Sequence, residues 1–293
     1  MNKHLSTTHI NKGTLYVVAT PIGNLSDISE RQRSVLSQVD QIAAEDTRRT
    51  KHLLSHIGLT TPCFSFHEHN ERQKLAKIVQ LLQEGQSIAL VSDAGTPLIS
   101  DPGFPLVREL RAQNLPIVAV PGPCALVTAL SISGLASDRF IFEGFLPPKS
   151  HARRGVFSEL LQQTATAIFY ESSHRILASL QDMATVFGDD RKLVIARELT
   201  KTFETVISGS ANDIIQIMQN DPNQCKGEFV VMIDGASKKT SELTQASKDL
   251  AQQLALHMST KQAAKITAEF SQQKKNLIYQ FLLAESQSNN LSD

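Results

Sequence analysis

Seven short segments carry the residue types that could do chemistry. The first is SDAGTPLISDPG, Ser92 to Gly103. It joins an apolar run, Ile88 to Val91, to an amphipathic segment, Phe104 to Leu110. Gly95 and Gly103 allow positive φ and close approach of a ligand to the main chain, while Pro97 and Pro102 fix φ and remove a donor. A rigid loop of this kind after a strand belongs at the carboxyl edge of a parallel sheet, where ligands bind. The alternative is an ordered connection with no ligand.

The other segments sit at comparable places. ATPIGNLSDIS, Ala19 to Ser29, follows the first apolar run with Pro21 and Gly23 at its end. AEDTRRTK, Ala44 to Lys51, brings Glu45 and Asp46 beside Arg48, Arg49 and Lys51. This is either carboxylates at a cleft with cations for phosphate, or a helix start capped by Asp46 or Thr47 with a solvated basic face. VPGPCALVTAL, Val120 to Leu130, is a stiff turn into a helix whose first amides can bind a polar group. FYESSHR, Phe169 to Arg175, offers Glu171 and His174, with Ser172 or Ser173 as a helix cap. ARELTKTFE, Ala196 to Glu204, sets Arg197, Glu198, Lys201 and Glu204 at a strand end as ligands or as an ion-pair network. GFLPPKSHARR, Gly144 to Arg154, adds Lys149, Arg153 and Arg154. Together with Arg48, Arg49 and Lys51, these three cations are expected to line one positive cleft for phosphates.

Other chemistries are disfavoured. The first loop is not GxGxxG and lacks the later acidic residue, so a nicotinamide or flavin cofactor does not fit. No GxxxxGK[ST] occurs, and the Gly-rich first loop of the common Rossmann methyltransferase is missing too. Cys63, Cys124 and Cys225 form no CxxC, which fits a reducing compartment without structural zinc. His67-Glu68-His69 is not HExxH, so no metal is expected.

The elements that must hold these loops can be read from periodicity. Leu15 to Ala19, Gln41 to Ala44, Cys63 to Phe66, Ile88 to Val91 and Ile117 to Val120 read as buried strands alternating with helices. Glu71 to Gln83 is one such helix, with Asn70 as N-cap and Gly85 as stop. Another runs from Cys124 to Ser131 and ends at Gly134. This alternation predicts a parallel sheet covered by helices. A second unit follows, with strands at Phe140 to Phe145, Thr166 to Tyr170, Lys192 to Ala196, Thr205 to Ser208 and Glu228 to Ile233. Helices are expected at Gly155 to Leu161 and Ile176 to Val186. The strands near 192–208 lack a helix between them, which predicts an antiparallel hairpin and a mixed sheet. After Asp234 a polar linker leads to three helical patterns, Ala246 to Met258, Lys261 to Phe270 and Lys274 to Leu283, resembling a helix-turn-helix. The expected division is a flexible tail at 1–13, an N-terminal α/β domain at 14–136, a second α/β domain with a mixed sheet at 137–235, and a linker with a helical extension at 236–293. Residues 285–293 are expected to fray.

Lys and Arg number 29 against 29 Asp and Glu, which argues against nonspecific wrapping of nucleic acid but not against a local RNA patch. No apolar leader precedes the first strand, and no run is long enough to span a bilayer, so a cytoplasmic protein without membrane contact is expected.

Taken in order, TLYVVATPIGNLSDIS, AEDTR, SDAGTPLISDPG, VPGPCA, FYESSHR, ARELTK and KGEFV resemble the tetrapyrrole methylase superfamily over about residues 14–234. Within it they are most similar to the branch that methylates ribosomal RNA, whose helix-turn-helix extension the C-terminal helices fit. The resemblance implies two α/β domains with S-adenosylmethionine in the cleft between them. It also implies methyl transfer to the 2′-hydroxyl of a cytidine in the decoding region of 16S ribosomal RNA, within the small subunit, by a homodimer. By motif position the cofactor borders Pro21, Gly23, Ala94, Gly95, Thr96, Pro97, Ile99, Cys124, Ala125, Glu171 and Leu199. Small-molecule members usually carry a GDP-like triplet where Gly95, Thr96 and Pro97 stand. A base that deprotonates the hydroxyl would be Asp46, Glu171 or Lys201, the lysine only with a depressed pKa. Two other readings remain: methylation of a tetrapyrrole or other small molecule on this fold, and a nonenzymatic ribosome-assembly module that binds RNA.

Overall fold

The computed structural model describes residues 9–236, 243–271 and 273–289. Five short aliphatic strands form the first sheet: Leu15–Val18 (β1), Gln41–Ala44 (β2), Cys63–Ser65 (β3), Ile88–Val91 (β4) and Ile117–Val120 (β5). Their order is β3-β2-β4-β1-β5, and every pairing is parallel. All four residues of β4 are buried, as an unbroken apolar strand covered on both faces requires. Because β1 lies between β4 and β5, the loops after β1, β4 and β5 meet at one carboxyl edge.

Helices Glu30–Gln38 (α1), Thr47–His56 (α2), Glu71–Gln83 (α3) and Phe104–Ala112 (α4) connect these strands. Ser29 and Gln32 close a capping box on α1. Gln32 is fully buried, and its Nε2 also donates to the Ala19 carbonyl at 2.7 Å, so one side chain caps a helix and pins the end of β1. Asp46 caps α2 by accepting from the Arg48 amide. Asn70 precedes α3 but does not cap it as expected. Its Oδ1 accepts from the His67 amide instead, tightening the turn before the helix.

The second sheet contains Phe140–Phe145 (β6), Thr166–Ser172 (β7), Leu193–Arg197 (β8), Thr205–Gly209 (β9) and Glu228–Ile233 (β10), in the order β6-β7-β10-β8-β9. Only β6 and β7 pair in parallel; β8 and β9 form the antiparallel hairpin, and the sheet is mixed as expected. Ala125–Ser133 (α5) precedes the sheet in sequence, yet its Leu126, Ala129 and Leu130 pack with Ile168, Val194, Val230 and Met232 on one of its faces. A division at 136/137 therefore cuts a helix from the sheet it covers. Ser150–Glu159 (α6), Ile176–Phe187 (α7) and Ala211–Asn220 (α8) cover the other face around Phe157, Phe169, Leu180 and Ile214. No serine caps α7, where Arg175 holds the cap position without a side-chain bond. Both sheets belong to one compact unit, Met1–Gly235. Within the expected N-terminal tail, Ile10 packs on the first sheet's core and the Asn11 amide donates to the Tyr16 hydroxyl at 2.7 Å. Residues 1–8 lie outside the described residues.

The second unit, Ala236–Asp293, contains Gln245–Ala255 (α9), Thr260–Ser271 (α10) and Lys275–Asn289 (α11). Ala251, Ala263, Ala264 and Ile278 form a small core, where alanines let the helices approach closely. Helix α11 runs on through the stretch expected to fray, to Asn289; residues 290–293 lie outside the described residues.

Candidate active site between the two sheets

A cleft of about 470 Å³ lies between the carboxyl edge of the first sheet and the ends of β7 and β10 in the second. Its size suits a nucleoside-sized ligand. The loop after β4 forms one wall. Thr20 and Gly95 exchange backbone hydrogen bonds of 2.8 and 3.0 Å, joining the loops after β1 and β4. The Thr96 hydroxyl donates to the Pro123 carbonyl at 3.0 Å, joining the loop after β5 as well. At the far end the Gly103 amide donates to the buried Glu71 carboxylate at 3.0 Å. Gly103 has φ 125°, and a Cβ there would stand 2.9 Å from Leu90 Cδ2. Leu98 and Ser100 also take positive φ, 74° and 67°, although they carry side chains. Opposite them, Glu198 and Thr200 do the same at 52° and 65°. Non-glycine residues held there cost on the order of 1–3 kcal/mol each, and such residues cluster at ligand sites.

Five carboxyl groups line the cleft: Glu45, Asp93, Asp101, Glu171 and Glu228. Four are engaged. Glu45 accepts from the Asp93 amide at 3.1 Å. Asp93 accepts from the Asp46 amide at 2.9 Å and lies 3.5 Å from Arg49. Glu171 is buried and accepts from the Ser172 amide, from Arg175 and from Ser179, at 2.7, 2.9 and 2.6 Å. Glu228 takes Lys201 at 2.8 Å. Asp101 has no cationic partner among the described residues. Burial, and then the nearby Glu45 charge, push its carboxyl up to about 7, against the pull of the Ser92 hydroxyl. Tyr170 faces the same space, its hydroxyl accepting from the Leu126 amide at 3.3 Å; burial holds its pKa well above the ordinary tyrosine value, so it stays protonated. Phe142 and Phe145 pack edge-on against its ring, with centroids 4.9 and 5.5 Å away.

Of the expected cofactor residues, Ala94, Gly95, Thr96, Ile99, Cys124, Ala125, Glu171 and Leu199 come together in this cleft. Pro97 is buried and does not line the cleft. Pro21 lines a smaller neighbouring cavity of about 210 Å³, which shares Arg49 and Asp93 with the cleft. Gly23 stands against the loop after β8, where a Cβ would lie 2.5 Å from Lys201 Cγ.

The three expected bases do not have the form a base needs. Asp46 is held far below the usual carboxylate range by hydrogen bonds from the Arg48 side chain and amide, and it caps α2. Burial works against the charge on Lys201, but bonds to Glu198 and Glu228 outweigh it and raise its pKa, the opposite of the depressed value a lysine base requires. Glu171 has its acceptor positions filled by Ser172, Arg175 and Ser179. Asp101 also lines the cleft, and its carboxylate between Ser100 and Pro102 is the sequence signal that marks it.

The expected RNA cations also need one correction. Arg153 is only 4% exposed, bonded to Asp182 at 2.7 and 2.8 Å and to the carbonyls of Pro147 and Pro148 at 3.2 and 2.9 Å. It pins the turn before α6, and its burial keeps it from a phosphate. Arg48, Arg49 and Arg154 are exposed but paired with Asp46, Asp93 and Asp182, at 2.6, 3.5 and 3.7 Å. Lys51 and Lys149 are exposed and make no ion pair among the described residues.

A ligand cleft at the edge of a parallel sheet, closed by a second mixed sheet, defines a class that comparison bears out. Residues 14–215 match the family described as Tetrapyrrole (Corrin/Porphyrin) Methylases, and the chain belongs to that family of methyltransferases. The fold is shared with uroporphyrin-III-C-methyltransferase from Thermus thermophilus (TM-score 0.53, 18% identity, 77% of this chain and 95% of that one). Cobalt precorrin-4 methyltransferase shares it too (TM-score 0.56, 14% identity, 76% and 95%).

Among curated relatives, the chain is similar to proteins named Ribosomal RNA small subunit methyltransferase I. The one from Haemophilus influenzae is 49% identical over 93% of this chain and 97% of that protein. The one from Escherichia coli O157:H7 is 46% identical over 97% and 99%. Residues 241–286 match a second description, the RsmI C-terminal HTH domain.

Proposed function

We propose that this methyltransferase moves the methyl group of S-adenosylmethionine to the 2′-hydroxyl of a cytidine ribose in the decoding region of 16S ribosomal RNA. The observation that carries the reading is similarity through both units to relatives of that name, down to the C-terminal helices. The solved tetrapyrrole enzymes cover only about three quarters of this chain. On α10, α11 and the turn between them, Lys261, Lys265, Lys274 and Lys275 are exposed, and Phe270 is 84% exposed, a combination suited to phosphates and stacked bases.

The cleft fits the donor. Apolar side chains Ile22, Ile99 and Leu199 suit an adenine, the backbone of Ala94, Gly95 and Thr96 is open to close approach, and carboxylates stand by for hydroxyl and ammonium groups. Cys124 and Ala125 complete that side at the start of α5. When bound, the donor supplies an already activated sulfonium methyl. The chain's task is to fix the ribose oxygen in line with it and to exclude water; good positioning alone lowers such a barrier by roughly 7–11 kcal/mol. Arg48, Arg49, Lys51, Lys149 and Arg154 supply the RNA-facing charge. The exposed pairs that hold three of them are worth about 0–1 kcal/mol each, so phosphate can replace the carboxylate. We further propose that the enzyme works as a cytoplasmic homodimer.

The test is transfer of labelled methyl from S-adenosylmethionine to small ribosomal subunits, followed by nuclease mapping. Label in a 2′-O-methylated cytidine is the expected result. Donor binding without RNA labelling would shift the assignment to a small-molecule methylase, and no donor binding would refute both enzyme readings.

A further inference from the structure

One aromatic ring reaches the cleft only because the strand that carries it is broken. Along β6, Ile141 packs with Phe157 and Phe169 under α6 and α7, while Phe142 packs with Ile168 and Tyr170 on the α5 side. Strict alternation would send Phe145 to the side of Ile141. The register slips instead: Phe142 pairs with Ile168 and Phe145 with Tyr170, so Glu143 and Gly144 together oppose Phe169. Gly144 takes φ 71°, the left-handed conformation that suits such a bulge. The extra residue reverses the side that Phe145 takes and brings it to the cleft wall. There its ring meets Tyr170 edge-on at 5.5 Å, and the residue stays 57% exposed. One edge-on contact cannot cover both faces of a ring. Tyr170 is a firm backing, since its hydroxyl is tied to the Leu126 amide. Gly144 itself stands against the loop after β4, where a Cβ would lie 3.6 Å from Ser100 Oγ. Four residues beyond Phe145, within about 14 Å of chain, Lys149 is exposed and makes no ion pair among the described residues.

We infer that Phe145 is the platform on which the base of the target nucleotide stacks once that nucleotide has left its helix. The inference rests on the RNA-methylation reading above. A nucleotide that must place its ribose inside a cleft is drawn out of the RNA stack, and its base then needs another flat apolar surface. The donor has apolar contacts of its own at Ile22, Ile99 and Leu199, on the loops after β1, β4 and β8, which leaves the ring on β6 for the acceptor. Stacking on Phe145 replaces part of what the RNA gives up. It also fixes the sugar attached to the base, so that the 2′-hydroxyl points at the donor rather than sweeping through the cleft. Lys149 supplies a cation for the adjoining phosphate backbone. Every base has a flat face, so the ring contributes affinity and orientation and does not by itself select cytosine.

The test compares the full-length protein with Phe145→Ala, Phe145→Leu and Phe145→Tyr. Calorimetry should give S-adenosylmethionine affinities within about threefold of wild type for all three. With small ribosomal subunits, kcat/KM should fall about 5–150-fold in F145A, the range that one base stacked on an aromatic ring supplies. It should fall nearly as far in F145L and return most of the way in F145Y. The decisive substrate is a small subunit reconstituted with 16S RNA whose target nucleotide keeps its ribose but lacks its base. On it the wild type should lose about the same factor, and F145A should lose nothing further, because both changes remove one and the same contact. The platform is overturned if F145L transfers methyl within about threefold of wild type, if donor affinity falls as far as transfer does, or if the F145A penalty persists in full on the baseless nucleotide. Wild-type protein that binds the donor but labels no RNA would instead refute the RNA reading and, with it, a stacked ribonucleotide.

Discussion

Replacing Asp101 by Asn should stabilise the protein as pH rises. Folding carries this carboxyl from its ordinary value of 3.8 to about 7. Below pH 4 it is protonated both folded and unfolded, and its titration adds nothing. Between those values the unfolded chain has released the proton and the folded chain still binds it, so wild-type stability declines with rising pH. Above 7 both states are ionised and the loss is complete. Fully converted, a shift of this size is roughly 4 kcal/mol. Asp101 opens onto the solvent-filled cleft, and screening reduces the figure to about 1–2 kcal/mol. Urea unfolding of wild type and D101N, followed by far-UV circular dichroism at pH 4, 6 and 8, measures it. The difference in midpoint should move in favour of the variant by that amount between pH 4 and pH 8, with unchanged slope. A difference independent of pH, or one that grows in favour of wild type, would refute the claim that burial and Glu45 destabilise the charged form.

Four further outcomes follow from the same geometry. Arg153→Ala should cost about 3–5 kcal/mol in thermal or urea unfolding, since it strands the buried Asp182 carboxylate; a loss under 1 kcal/mol would contradict its role as an internal clamp. Lys51→Ala and Lys149→Ala should each weaken RNA binding and reduce the slope of log affinity against log salt by about 1, leaving donor affinity intact. Gly122→Ala should lower the melting temperature, because its Cβ would lie 2.0 Å from Gln32 Nε2 and break the bond that pins Ala19. Removing residues 240–293 should weaken RNA methylation more than donor binding, and equal loss of both would mark the helices as purely structural.

The backbone scaffold was readable because it follows from local rules. Aliphatic runs of four or five residues between amphipathic segments can hardly be anything but covered parallel strands, and Leu193–Arg197 followed so closely by Thr205–Gly209 leaves no room for a crossover helix. The loops of the cleft were readable from their glycines and prolines. Side-chain roles were less so, because they depend on partners distant in sequence. Nothing local distinguishes Arg153 from Arg154, yet helical rotation turns the first toward Asp182 in the interior and leaves the second exposed. Glu171 resembled a base until Ser179, one helical segment later, filled its second oxygen. The raised pKa of Asp101 comes first from burial and then from Glu45, in the loop after β2, neither of which its own segment displays. Helix α5 packs on the second sheet although it precedes that sheet in sequence, and its apolar pattern does not show the choice, since Val127 and Ile132 are both exposed.

The placement of β1 between β4 and β5 has a consequence for the chain as it is made. Leu15 finds its partners at Ile88 and Ile117, so the strand leaves the ribosome long before either neighbour exists. At about 5–20 residues per second, that leaves an apolar strand with both edges open for roughly 4–15 seconds and one edge open for roughly 5–20 seconds. During that interval β2 and β3 can pair with each other, but the nascent β1 must be shielded by a chaperone or by transient collapse. Biogenesis should therefore be most vulnerable while residues 15–120 are being synthesised, and substitutions that slow completion of β5 should lower the yield of folded protein even when they leave its final stability unchanged.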